Sequence, residues 1–187
     1  WILSAVAAMI CYWMLLGWIP TRWSALGGFL LLVHPGYQIA LGQSYWGGTL
    51  AFLGGALVFG AAARMRHCPQ VHDAVAMSLG AMILAVSRPY EGLVFCLIIG
   101  TVVVAHWWRH GLPAWRVLVL QATLPQVAVF LVGGACLAYY NHTVTGSWRT
   151  LPYQVHESTY GSSPCFLWDQ PYEDREYRHA VFADFHQ

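Results

Sequence analysis

Apolar residues run in long blocks up to Tyr140, and short polar turns divide them. The first block, Trp1–Ile19, is closed by Pro20. A second follows Thr21-Arg22-Trp23 and stays apolar through Val33, where His34-Pro35-Gly36 interrupts it. The third, Gly47–Ala63, ends at "RMRHCPQVHD". The fourth, Ala74–Val86, is short and leads into "SRPYE". The fifth, Gly92–Trp108, gives way to "RHGLPAWR", and the sixth covers Val117–Tyr140. A helix needs about 20 mostly apolar residues to cross the hydrocarbon core, or about 17 at the short end. The pattern therefore predicts an all-α integral membrane protein. Residues 1–140 form a polytopic domain of about six transmembrane helices. The chain changes character at Asn141. The tail 141–187 holds Glu157, Asp169, Glu173, Asp174, Glu176 and Asp184, with many Tyr, His and Pro residues. It reads as a polar, mixed region at the membrane surface and the start of a larger soluble domain.

Composition agrees with lipid as the main solvent. Only 9% of residues are charged and 58% are hydrophobic, whereas a globular domain carries about 25% charged residues. So few charges could not cover a soluble surface. The net charge of +1 gives no field that would attract nucleic acid. Cys11, Cys68, Cys96, Cys136 and Cys165 are scattered without a CxxC pair, so neither a disulfide framework nor a zinc site is implied. Paired glycines recur, and Gly48, Ala51 and Gly55 share one face of the third helix, which predicts a close-packing seam there.

Arginine placement sets the expected orientation, because cytoplasmic loops carry the excess of positive residues. If each apolar block crosses once, Arg22, the Arg64/Arg66 turn and the Arg109/Arg116 turn fall on one side, the cytoplasm. The loop 34–46, the "SRPYE" turn and the tail then face the other side. Within "SRPYE", Pro89 suits the first turn of a helix, and the residue before a proline is pushed out of the α region. Arg88 is thus expected at the N-cap of the fifth helix, with Glu91 in its first turn near the positive end of the macrodipole. Arg88 itself has two readings. It either reaches the headgroups and pairs locally with Glu91, or it lines a wet site with Tyr90 and the helix N-terminus, where an anion such as a phosphate would bind.

The loop "HPGYQIALGQSYW" adds His34, Tyr37, Gln43, Tyr45 and Trp46, which are groups suited to an interfacial aromatic belt or to stacking and hydrogen bonding with sugar rings. The tail segment "LPYQVHESTYG" offers Tyr153, Gln154, His156, Glu157 and Tyr160 in the same style. His156-Glu157 lacks the second histidine of a zincin helix. No cofactor is expected; a divalent metal at His156, His179, Asp184 and His186 stays open. Asn141-His142-Thr143 matches the glycosylation acceptor pattern at a helix end.

The motifs "SYWGG", "SRPYEGL", "YYNHTVTG" and "LPYQVHESTY" resemble those of a group of bacterial polytopic proteins. That group is similar to the GT-C superfamily of membrane glycosyltransferases, near its protein-mannosyltransferase and aminoarabinose-transferase branch. The resemblance runs from about residue 12 to the end of the chain. It implies an inverting transferase of the bacterial inner membrane that takes a sugar from a polyprenyl-phosphate donor, with the tail extracytoplasmic. Arg88, Tyr90 and Glu91, together with His34, Gln43, Tyr45, Trp46, Tyr153 and His156, would then serve the lipid-linked donor. In the family the catalytic carboxylate lies in the first extracytoplasmic loop, where it acts as base toward the acceptor hydroxyl. The loop 34–46 has no Asp or Glu, so that residue is expected upstream of Trp1. A flippase-like transporter and a non-catalytic membrane scaffold are the competing readings. The topology has a direct test: an impermeant maleimide applied to intact cells is expected to label Cys165 and to spare Cys68. The opposite result inverts the orientation.

Overall fold

The computed structural model describes residues 2–37, 39 and 48–160, and they are all-helical. Helix α1 spans Ile2–Leu16, α2 Thr21–Val33, α3 Gly48–Met65, α4 Val71–Ser87 and α5 Pro89–His110. A short helix α6, Trp115–Val117, runs through a π-helical turn, Leu118–Thr123, into α7, Leu124–Thr145. Helix α8, Pro152–Tyr160, follows. Three helical stretches are long and apolar enough to cross a membrane: Gly48–Met65, Pro89–His110 and Trp115–Thr145. At 1.5 Å per residue, the 18 residues of α3 span about 27 Å, close to the hydrocarbon thickness. The apolar helices α1, α2 and α4 are shorter, with 15, 13 and 17 residues.

Chain contacts divide the protein into two units, Trp1–Gly133 and Gly134–Gln187, with the division inside α7. In the first unit α3 is the hub and packs against α1, α4 and α5. Val58 and Ala62 of α3 meet Leu84 of α4 and Ile99 and Val103 of α5 in the main core. A second cluster joins Ala7 of α1, Leu53 of α3 and Tyr37, whose ring meets Phe52 edge-on at 5.8 Å. The outer faces of α5 and α7 keep Leu97, Ile98, Leu131 and Val132 exposed. Such apolar surface is compatible with a lipid environment.

The close-packing seam lies elsewhere than the sequence suggests. A Cβ built on Gly54 would sit 2.9 Å from the Gly80 carbonyl oxygen, and one on Gly80 would sit 2.6 Å from the Gly54 carbonyl oxygen. Here α3 and α4 touch backbone to backbone, which only glycine allows. Gly55, on the expected face, has nothing within 4 Å of such a Cβ. Adjacent helical residues point about 100° apart, so a Gly-Gly pair in the sequence offers two faces and does not say which one packs.

The end of α3 is fastened by polar groups reaching its carbonyls. Arg64 donates to the Gly60 oxygen and to the Trp13 oxygen of α1, both at 2.7 Å, and its guanidinium lies 4.1 Å over the Trp13 ring. The indoles of Trp18 and Trp107 donate to the oxygens of Phe59 and Met65, each at 3.2 Å. The last carbonyls of a helix lack intrahelical partners, and cations there also meet the negative end of the dipole. The arginines expected to mark a cytoplasmic turn are thus also structural fasteners.

In the second unit, α7 ends at Gly146, whose φ of 76° selects glycine. The imidazole of His142 stacks on Trp148 at 4.3 Å. Pro152 opens α8, and the Gln154 side chain accepts from the Leu151 backbone N–H at 3.1 Å. Asn141 is buried within α7, so the glycosylation pattern falls on an inaccessible side chain. The glycines make a clear contrast. Gly80→Ala is expected to lower stability by about 1–3 kcal/mol through overpacking. Gly55→Ala is expected to be neutral or to stabilise by up to about 1 kcal/mol through restricted backbone entropy. Thermal unfolding of the two variants in detergent micelles measures the difference.

Candidate functional site

A single residue, Arg88, separates α4 from α5. Its backbone, at φ −147° and ψ 74°, leaves the α region as the following proline requires. The Arg88 N–H still donates to the Leu84 oxygen at 2.7 Å, so the residue caps α4, and the Gly92 N–H donates to the Arg88 oxygen at 2.8 Å, which starts α5. Pro89 occupies the first turn of α5, as the sequence predicts. Gly92 makes so tight a corner possible, because a Cβ there would meet the Leu84 Cβ at 2.7 Å.

The Arg88 guanidinium holds Glu91 through one nitrogen, Nη1, which lies 3.0 and 2.9 Å from the two carboxylate oxygens. The side chains of Arg88 and Glu91 are 39% and 71% exposed. The other guanidinium nitrogens make no hydrogen bond among the described residues, so they can donate to an incoming anion. Tyr90 follows on the same first turn and is also exposed. A guanidinium with spare donors beside a helix N-terminus is an arrangement suited to a phosphate oxygen.

The remaining sequence candidates are placed less closely. His34 caps the end of α2, and its Nδ1 accepts from the Tyr37 backbone N–H at 3.1 Å. Gln43, Tyr45 and Trp46 lie outside the described residues, as do Cys165, His179, Asp184 and His186. Tyr153 and His156 belong to the second unit, exposed on α8. Among the described residues, no group of three His, Cys, Asp or Glu side chains could hold a metal ion. His67, His106 and His110 form a run of ring contacts, edge-on at 5.2 Å and tilted at 4.4 Å. Arg66 Nε donates to His67 Nε2 at 3.1 Å.

One residue escaped the sequence reading. Asp73, in the first turn of α4 and just before the apolar run, is buried with 2% of its side chain exposed. Among the described residues its Oδ1 has no hydrogen-bond partner, and its Oδ2 lies 3.5 Å from His72 Nε2. Burial pushes its carboxyl above the ordinary aspartate range, against the opposing charges of His72 and Arg64. In the sequence an acid at the start of an apolar helix reads as a solvated dipole partner. Only packing reveals otherwise.

Compared with protein-family models, curated proteins and solved structures, the chain finds no match. The candidate site therefore rests on its own geometry.

The corner predicts a separation of stability from ligand binding. Arg88→Ala breaks an exposed ion pair and is expected to cost less than about 1 kcal/mol. Gly92→Val drives a branched side chain into Leu84 and is expected to cost about 1–3 kcal/mol. Unfolding of both variants under identical detergent conditions checks the order.

Proposed function

We propose that this chain is part of a membrane glycosyltransferase that moves a sugar from a polyprenyl-phosphate donor to an acceptor on the extracytoplasmic face. The observation that carries the reading is the Arg88 corner, an accessible guanidinium with unengaged donors beside the first turn of an apolar helix. In this reading all six apolar segments cross the bacterial inner membrane, with the α4–α5 corner and the tail on the extracytoplasmic side. Arg88 neutralises the phosphate of the donor. Glu91 holds the guanidinium in position until the phosphate arrives, and Tyr90 supplies a hydroxyl beside it. His34 and the loop residues Gln43, Tyr45 and Trp46 provide ring faces and hydrogen bonds for sugar, as do Tyr153 and His156 in the tail. No step calls for a cofactor.

Glu91 is not assigned the role of base, because its carboxylate is already engaged by Arg88 Nη1, at 3.0 and 2.9 Å. The loop 34–46 offers no Asp or Glu for the role of base toward the acceptor hydroxyl.

The test is sugar transfer by the full-length protein reconstituted with a polyprenyl-phosphate sugar. Arg88→Ala is expected to reduce transfer about ten- to a hundredfold, the equivalent of about 1.5–3 kcal/mol for a hydrogen bond to a charged group. Arg88→Lys is expected to restore part of it, since the charge survives and the planar fork does not. Unchanged transfer by Arg88→Ala overturns the assignment of the phosphate site. Loss of substrate uptake with no transfer by the wild type favours the transporter reading instead.

A further inference from the structure

Asp73 lies at the opposite end of α4 from Arg88, so the corner does not explain it. Its surroundings are unusual for a carboxylate. The neighbouring Ala74 packs with Met65 of α3 and with Ala122 of the π-helical turn, with Met77 alongside. Arg64 of α3 and His72 of α4 are the charged groups facing Asp73; the π-helical turn, Leu118–Thr123, carries no titratable side chain. Arg64 offers field and, among the described residues, no hydrogen bond to Asp73; its two bonds go to the oxygens of Gly60 and Trp13. No side chain caps the α4 N-terminus, so Asp73 is not spent on the helix's own N–H groups.

An ionised carboxylate with one oxygen wholly unpaired in such a place is strongly disfavoured. A carboxylic acid suits it better, with one oxygen carrying the proton and the other a weaker acceptor. His72 supplies the exit. Its ring is 69% exposed, yet its Nε2 stands 3.5 Å from Asp73 Oδ2. Mid-helix π geometry, here in the turn packed on Ala74, is itself a frequent companion of functional positions.

We infer that Asp73 is a proton-binding site that exchanges its proton with water through His72. In the exchange the Asp73 O–H bond breaks as a bond forms to neutral His72 Nε2, leaving a carboxylate and an imidazolium. The imidazolium then passes a proton to water, and the neutral ring is restored. At 3.5 Å the donor and acceptor are just beyond hydrogen-bond contact, so transfer waits on rotation of either side chain.

The full-length protein in detergent micelles, with its aspartates isotopically labelled at the carboxyl carbon, provides the test by infrared spectroscopy. A protonated-acid carbonyl band that shifts with the label is expected to persist to higher pH than that of an exposed aspartate and to vanish in Asp73→Asn. His72→Gln should keep the band but slow its shift in deuterated water at least tenfold. The sign of the stability effect is fixed. A raised folded-state value means the folded protein holds the proton more tightly than the unfolded chain. The contribution is therefore full at acidic pH and is lost as pH rises through the folded-state value. Asp73→Asn should flatten that decline. Absence of any labelled acid band in the wild type above the pH at which exposed aspartates ionise overturns the inference and leaves Asp73 as an ionised partner of Arg64. That readout needs no variant to fold. An exchange rate unaltered by His72→Gln removes the relay.

Discussion

The contact on which the first unit depends is the backbone approach of α3 and α4 at Gly54 and Gly80. Each glycine faces the other's carbonyl oxygen at a distance no Cβ could share. In lipid there is no hydrophobic drive to bring two apolar helices together, so close van der Waals packing has to do it, and small residues make it possible. With α4 fixed against α3 at its middle, both of its ends are fixed as well. One end delivers Arg88 and the start of α5. The other presses the first turn of α4, with Asp73, against the end of α3 and the π-helical turn. The two ionisable sites are thus the two ends of one short helix, 15 residues and about 22 Å apart.

Charge is distributed according to what each end must satisfy. Near the end of α3, Trp107 donates to the Met65 oxygen and Trp18 to the Phe59 oxygen, while Arg64 reaches the Gly60 oxygen and the Trp13 oxygen of α1. Arg64 directs its two bonds to the oxygens of Gly60 and Trp13, and none among the described residues to Asp73. At the other end Arg88 bonds Glu91, three residues on, in place of a carbonyl. One arginine ties two helices together and the other holds an exposed acid beside a helix start.

What the sequence made legible follows the same division between local and non-local physics. The Arg88 cap, the start of α5 at Pro89 and the Arg88–Glu91 pair depend on neighbouring residues, and each follows from proline sterics and the helix dipole. The all-helical class followed from the length of the apolar blocks, and three of those blocks are long enough as helices to cross a membrane. The face of α3 that packs was not legible, since Gly54 and Gly55 are interchangeable until α4 is in place. Nor was Asp73, whose burial depends on Met65, Ala74 and Ala122 meeting from three segments. The π-helical turn before α7 left no composition signal in "LVLQAT".

The two sites weigh differently on the competing readings. Phosphate recognition at Arg88 is needed by a transferase using a lipid-linked donor, and equally by a flippase carrying one. A proton-binding acid is not needed for sugar transfer at the far end of α4. It is what a transporter requires if it is driven by a proton gradient, because such coupling needs a group that loads and unloads a proton between two conformations. A buried acid with an unpaired oxygen is costly to keep, and the Arg88 corner gives Asp73 no role. If the proton at Asp73 and an anion at Arg88 prove mutually dependent, α4 is the rigid body linking them, and the Gly54–Gly80 seam is the contact across which that link would have to act.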